Sequence, residues 1–489
     1  MLTYPLTQKT SQPLYVYFYE CIKQDILSGS LCPHEKLPSK RAFAKHHQVS
    51  LITVEAAYQQ LIAEGYVRSE ERKGYYVNVV SVIDPPASLY DPSQYGARYG
   101  DEYDGIQSPY HDAHETQQHE LTHHVAFQQF PYTQWAKCIR KTLTDETPES
   151  LFEQRDARGT NRLRKALAHY LEGTRGMHVD SECIVVGAGA QMLYLMVVQL
   201  LGMGNRIALE NPGYTRLAHI YHSLGVMTEF IPTDVEGMQV DTLTTSQATI
   251  AHIMPTHQYP TGSIMSIARR YELLSWAAQK PYRYIIEDDY DAELRFSGQP
   301  IPTLSNIDVS EKVLYVNTFA KTLGSAFRIG YMVLPPHLLE RFLDTLGFYS
   351  CPVSTLDQLA LARFIESGEY ERHNNRLKTH YKAVASALAE LVDHYDSAKQ
   401  ARLCQVSAGT HCLLCLPTET VAQDMYDGLF TVLEQAHIQC LPLDFFAMNS
   451  SYDASFVASI NAIDCKVYVL DFAQAILDDG IGGVRCRVA

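Results

Sequence analysis

The chain has 489 residues, 46% of them apolar and 19% charged, a composition that excludes a disordered polymer and a length that calls for two or three domains. Its formal net charge of -15 is uneven: residues 1–80 hold nine Lys/Arg and seven Asp/Glu, hence +2, so the remainder carries -17. Most of the molecule therefore repels a polyanion, and only a local surface near the front could accept one.

The opening MLTYPLTQKTSQ lacks the apolar stretch and cleavage site of a secretory signal, and no apolar run reaches the roughly 18 residues of a membrane span, so a cytoplasmic protein is expected. In PLYVYFYECIKQDILSG, Leu14, Tyr17, Phe18, Cys21, Ile22, Ile26 and Leu27 recur at helical spacing before a stop at Gly29. The pattern next predicts a short helix from about Lys40 to His46, a turn HQVS, and a second helix from about Leu51 to Glu64 with Val54, Ala57, Tyr58, Leu61 and Ile62 inward. GYVRSEERKGYYVNVV then reads as a hairpin whose return is served by Gly74, which makes a winged helix-turn-helix. Ser39 and Ser50 stand at N-cap positions, and such helix starts offer N–H groups to a phosphate oxygen.

The stretch KLPSKRAFAKHHQVSLITVEAAYQQLIAEGYVRSEERKGYYV resembles the winged helix of GntR-family bacterial transcription regulators in its LPS-x-R opening, VS-x-x-TV turn and EG-x-V wing. The resemblance implies a double-stranded DNA operator contacted through Ser39, Lys40, Arg41, Ser50, Thr53, Lys73 and Gly74. It also marks a departure, because the family commonly has a basic residue after VS and this chain has Leu51.

Residues 82–125 are rich in Pro, Gly, Asp, Tyr and His without periodicity and read as a long linker. Its histidines His111, His114, His119, His123 and His124 are spaced to allow a metal, but solvated linker histidines explain them as well, and no metal is assigned. From about residue 126, strand-like runs alternate with helical ones: CIVVGAG, RIALENPG, ATIAHIMP, YRYIIEDDYD, KVLYVNTF and IGYMVLP. This predicts an α/β domain with a largely parallel or mixed sheet (large part about 150–335), followed by a smaller α+β part at about 340–489. Eleven cysteines are mostly scattered singly, as reduced thiols are; the close pair Cys412 and Cys415 in THCLLCLP reads as a buried strand, with metal or redox use as the alternative.

Each strand run ends in a polar or glycine cluster, where open α/β sheets place ligands. GAGAQ at 187–191 enters a helix and can turn backbone N–H groups to a phosphate, ENPGY at 210–214 brings an aromatic, and MPTHQYPTG at 254–262 is a polar turn. IIEDDYD gathers Glu287, Asp288, Asp289 and Asp291, a cluster that by itself suggests a divalent metal. Lys321 stands between Thr318 and Arg328 in NTFAKTLGSAFRIGYMVLP.

In this order the parts resemble fold type I aminotransferases, which use pyridoxal 5′-phosphate. The resemblance implies that Lys321 forms the Schiff base, Asp288 holds the pyridine nitrogen protonated and Tyr290 bonds the phenolic oxygen. It further implies that Tyr214 stacks on the ring, Tyr259 lines the site, and Thr318, Arg328 and the amides of Gly189, Ala190 and Gln191 hold the phosphate. HQYPTG, EDDYDAELRF and NTFAKTLGSAFRIGYMVLP behind a GntR-like head resemble the MocR subgroup of GntR regulators over nearly the whole chain. That implies a winged helix at 1–81, a linker at 82–125, and an effector-binding and dimerisation domain at 126–489 that holds the cofactor as an internal aldimine. The resemblance further implies an effector that is the cofactor itself or an amino acid or amine, with Arg216 matching a position that contacts effector carboxylate in some relatives. A head-to-tail homodimer is also implied, its two heads reading a repeated or palindromic site. The alternative is a working aminotransferase with an accessory DNA-binding module. Against it, Val469 and Asp471 stand where an arginine commonly grips a substrate carboxylate, and Ala188 and Ala320 replace usual hydroxyl residues.

Overall fold

The computed structural model describes residues 2–5, 13–70, 73–78, 129–152, 156–296, 302–395, 401–417, 423–448, 456–457, 465–473 and 475. The predicted linker and its histidines lie outside them. The chain divides into two compact units, Met1–Glu115 and Thr116–Ala489. Among the described residues no helix is long and apolar enough to cross a membrane.

In the first unit, helix α1 (Leu14–Leu27) buries Phe18, Ile22 and Ile26 at four-residue spacing and is followed by Gly29 at φ 76°. Helices α2 (Lys40–His47) and α3 (Leu51–Ala63) are separated by Gln48 in the left-handed region, which reverses the chain in one tight turn. Both start at serines: Ser39 Oγ accepts the Ala42 amide at 3.2 Å, and Ser50 Oγ the Thr53 amide at 3.1 Å. Strands β2 (Val67–Glu70) and β3 (Gly74–Val77) form the predicted hairpin. A short strand the sequence pattern does not signal, β1 (Lys36–Leu37), completes a sheet of order β1-β3-β2. Phe18, Ile22, Leu37, Phe43, Val54, Tyr58, Leu61 and Val77 close one small core beneath it.

The second unit is built on eight strands: β4 (Ile184–Gly187), β5 (Arg206–Asn211), β6 (Met227–Asp234), β7 (Gly237–Met238), β8 (Ile250–Ile253), β9 (Tyr284–Asp288), β10 (Val313–Thr318) and β11 (Gly330–Val333). Their order is β4-β11-β10-β9-β8-β5-β6-β7. The neighbours from β10 through β9, β8 and β5 to β6 are parallel, whereas β11 runs antiparallel to β10 and β4, and β7 to β6. Six of the eight lie in the six predicted runs. Strand β6 escaped because it is mostly half-exposed and carries Pro232, so it shows no continuous apolar run.

The smaller part has strands β12 (Arg402–Cys404), β13 (His411–Pro417), β14 (Gln439–Pro442) and β15 (Cys465–Asp471) in the order β12-β13-β15-β14. The long helix Glu369–Tyr395 packs Leu377, Tyr381, Val384 and Leu388 against Cys412, Leu414 and Leu470 on one face of this sheet. Cys415 joins Leu413 and Val469 in the core on the other face, so the two cysteines of THCLLCLP point to opposite sides. Val469 is fully buried within β15.

Candidate functional site

The C-terminal ends of the parallel strands converge on one cavity of about 150 Å³. Ala190, Gln191, Tyr214, Arg216, Tyr259, Asp288, Tyr290, Thr318, Lys321 and Arg328 all line it, although they span 139 positions of sequence from first to last inclusive. Gly189 lies just behind, at φ 82°, where an added Cβ would come within 3.1 Å of Arg328 Cζ. Its N–H is taken by the Gly187 carbonyl at 2.8 Å, which removes one of the three amides expected to hold a phosphate. Ala190 and Gln191 open the helix Ala190–Leu201, and amides in a first turn have no intrahelical acceptor.

Lys321 is 5% exposed, its Nζ 3.4 Å from Thr410 Oγ1 and 5.7 Å from the centre of the Tyr290 ring. Burial pushes its pKa down, against the charges of Asp471 and Asp291, and so favours the neutral, nucleophilic amine. Opposite, Asp288 ends β9 with one oxygen held and one not: Oδ2 accepts the Tyr194 hydroxyl at 2.5 Å and faces His252 Nε2 at 3.4 Å, while Oδ1 has no hydrogen-bond partner among the described residues. His252 is in turn fixed through Nδ1 by the Tyr221 hydroxyl at 2.7 Å. The Tyr290 hydroxyl donates to the His257 carbonyl at 3.0 Å, so the expected donation to a ring oxygen requires it to leave that carbonyl.

The four acids of IIEDDYD do not converge, which removes the divalent-metal reading of that cluster. Glu287 accepts the Leu304 and Ser305 amides at 2.7 and 2.8 Å, beside Arg270 at 3.8 Å; burial pushes its carboxyl up to about 7. Asp289 pairs with Arg175 and accepts the Tyr315 hydroxyl at 2.9 Å, and Asp291 meets His257 Nδ1 at 2.6 Å. Only Asp288 reaches the cavity.

Tyr194, Tyr221, His252, Thr410, His257 and His411 are the participants that sequence reasoning missed. Nothing local marks Tyr194 or Tyr221, because their polar partners lie 94 and 31 residues away. The His257 and His411 rings lie 4.3 Å apart, tilted by 40°, beside Asp291, and one ligating atom from each of the three lies within 4.8 Å of the others. Gly409 makes room for them, since a Cβ there would lie 2.2 Å from His257 Cε1.

In the head, Arg41 and Lys73 are exposed, the Lys73 ammonium lying 3.4 Å from Glu70. Lys40 is not free, because its ammonium pairs with Glu55 and lies 5.8 Å from the Tyr75 ring. Ser39, Ser50 and Thr53 are engaged in the two caps, and Gly74 at φ 121° starts the wing's return strand.

The chain matches two family models, "Bacterial regulatory proteins, gntR family" over residues 14–77 and "Aminotransferase class I and II" over residues 128–464. It is 34% identical over 407 residues to the uncharacterized HTH-type transcriptional regulator YdeL of Bacillus subtilis (strain 168), covering 82% of this chain and 84% of that one. It is 29% identical to the probable rhizopine catabolism regulatory protein MocR of Rhizobium meliloti, over 77% and 76% of the two chains. Among solved structures, the multiple substrate aminotransferase of Thermococcus profundus superposes with a TM-score of 0.61 at 22% identity, covering 79% of this chain and 94% of that one.

Proposed function

The chain belongs to the MocR-type GntR regulators, in which a winged helix is joined to an aminotransferase class I and II domain, and from that premise we propose a cytoplasmic transcription regulator whose DNA binding answers to pyridoxal 5′-phosphate and an amine or amino acid. The domain limits that go with this reading are 1–81 for the head, 82–125 for the linker and 126–489 for the body. The observation that carries it is the pairing of a buried lysine with a buried carboxylate oxygen that has no partner among the described residues, across one cavity. An unsatisfied charged acceptor is costly inside a protein, and a protonated ring nitrogen satisfies it.

The residues fit the cofactor. Arg328, Thr318 and the Ala190 and Gln191 amides would hold its phosphate, Tyr214 would face its ring, and Asp288 would meet its nitrogen. Bound there, pyridoxal 5′-phosphate supplies an electrophilic aldehyde and an electron-withdrawing ring. Lys321, shifted toward its neutral form, is the amine poised for that aldehyde, and Tyr194 and His252 keep the Asp288 carboxylate aimed. Arg216 on the cavity wall would take an effector carboxylate. A head-to-tail homodimer would present two heads to one operator.

Sustained transamination is disfavoured: a buried valine, Val469, stands where the resemblance puts the arginine that grips a substrate carboxylate, and Asp471 adds negative charge near Lys321. The test is a visible absorption spectrum of the purified full-length protein with added pyridoxal 5′-phosphate, repeated with Lys321→Ala. A band in the wild type that the variant lacks is expected; no band in either would overturn cofactor binding.

A further inference from the structure

The outer face of α3 carries no cation: its thirteen residues, LITVEAAYQQLIA, include neither Lys nor Arg. In its first turn Leu51 is 42% exposed and Ile52 78% exposed, in a domain small enough to need all its apolar burial. The polar side chains beside them are already occupied. Ser50 Oγ and Thr53 Oγ1 lie 2.7 Å apart while the serine caps the helix, and Glu55 holds the Lys40 ammonium. Four and seven residues beyond Ile52, half-buried Ala56 and exposed Gln59 continue the same stripe.

Exposed cations stand on the neighbouring elements of the head and none on α3. Arg41 and Lys45 are exposed on α2, and Lys73 is exposed at the wing, where its ammonium lies 3.4 Å from Glu70 in a solvent-facing pair that a phosphate can replace. An apolar helix start in a head that also exposes cations suits a polyanion that also presents apolar groups. In the major groove of DNA that group is the C5 methyl of thymine, whereas guanine is read best by the cationic fork that α3 lacks. We infer that Leu51 and Ile52 are specificity-determining residues that read thymine methyl groups in the major groove of the operator. This rests on the DNA-binding reading above and adds the base class read. Arg41, Lys45 and Lys73 supply phosphate contacts and salt dependence; Leu51 and Ile52 supply sequence preference.

The experiment begins by selecting duplexes from a random-sequence library with the full-length protein. Affinity is then measured for the selected duplex carrying thymine or deoxyuridine at each conserved thymine, over a range of salt. Thymines are expected in each half-site, and each lost methyl is expected to weaken binding roughly fourfold. Leu51→Ser and Ile52→Ser, both at exposed positions, should fold by circular dichroism, erase that discrimination and leave the salt slope unchanged. Equal affinity for thymine and deoxyuridine duplexes overturns the inference, as does a methyl effect that persists in both variants or a half-site without conserved thymines. If no duplex is selected at all, the DNA-binding reading itself fails and takes the inference with it.

Discussion

Asp288→Asn should separate the stability of the body from its hold on the cofactor. The side chain is 2% exposed, and the substitution keeps its shape while removing its charge. An asparagine amide oxygen retains the Tyr194 bond that Oδ2 now makes at 2.5 Å. The other oxygen, Oδ1, has no partner to lose among the described residues, and the neutral amide nitrogen that takes its place is cheaper to leave unpaired than a charged oxygen. A buried unpaired acceptor costs about 1–3 kcal/mol and more when charged, so the unliganded variant should be as stable as the wild type or up to about 1 kcal/mol more stable. With the cofactor the sign reverses, because breaking a buried ion pair by removing one partner costs about 3–5 kcal/mol, roughly a hundredfold to a few thousandfold in Kd. Thermal unfolding across a pyridoxal 5′-phosphate titration reads both effects. At about 100 times the wild-type Kd the wild type should gain about 2.7 kcal/mol, and the variant less than about 0.5 kcal/mol. A variant that binds with wild-type affinity, or that is clearly destabilised without cofactor, would refute the role given to the unpaired oxygen.

Three further outcomes follow from single residues. Burial pushes the Glu210 carboxyl up to about 8, so the folded protein holds a proton there that the unfolded chain has lost; this stability is fully present below the ordinary carboxyl range and is lost as pH rises to about 8, and Glu210→Gln should flatten that decline in pH-dependent denaturant melts. Gly189→Ala should cost about 1–3 kcal/mol for its positive φ and push on Arg328, lowering cofactor affinity in a spectrophotometric titration. Ser50→Ala should lose about 1 kcal/mol of cap energy in the head and weaken binding to all duplexes alike, as measured by melting and by gel shift.

The local signals were legible: serine caps, glycine stops, a two-helix turn, and strand runs whose polar ends gather at one cavity. These depend on residues a few positions apart, and the ordered turns from GAGAQ to Arg328 add a resemblance that fixes their sequence. What was not legible depends on long-range pairing. Nothing near Tyr194 signals a bond to Asp288, nothing near Lys321 signals Thr410 at 3.4 Å, and the occupation of Lys40 by Glu55 needs two helices to meet. The Gly189 amide was expected to be available, and the turn closes on itself instead. The acids at 287–291 look like one cluster in sequence, but strand alternation and the turn after β9 send their side chains to four separate partners.

The most direct test of the account is the affinity of the full-length protein for a selected operator with and without pyridoxal 5′-phosphate, in the wild type and in Lys321→Ala. Linkage requires that a cofactor which alters DNA binding be itself altered by DNA. Adding cofactor should change operator affinity several-fold in the wild type and not at all in the variant. An operator affinity indifferent to cofactor in the wild type, or an equal response in Lys321→Ala, would contradict it.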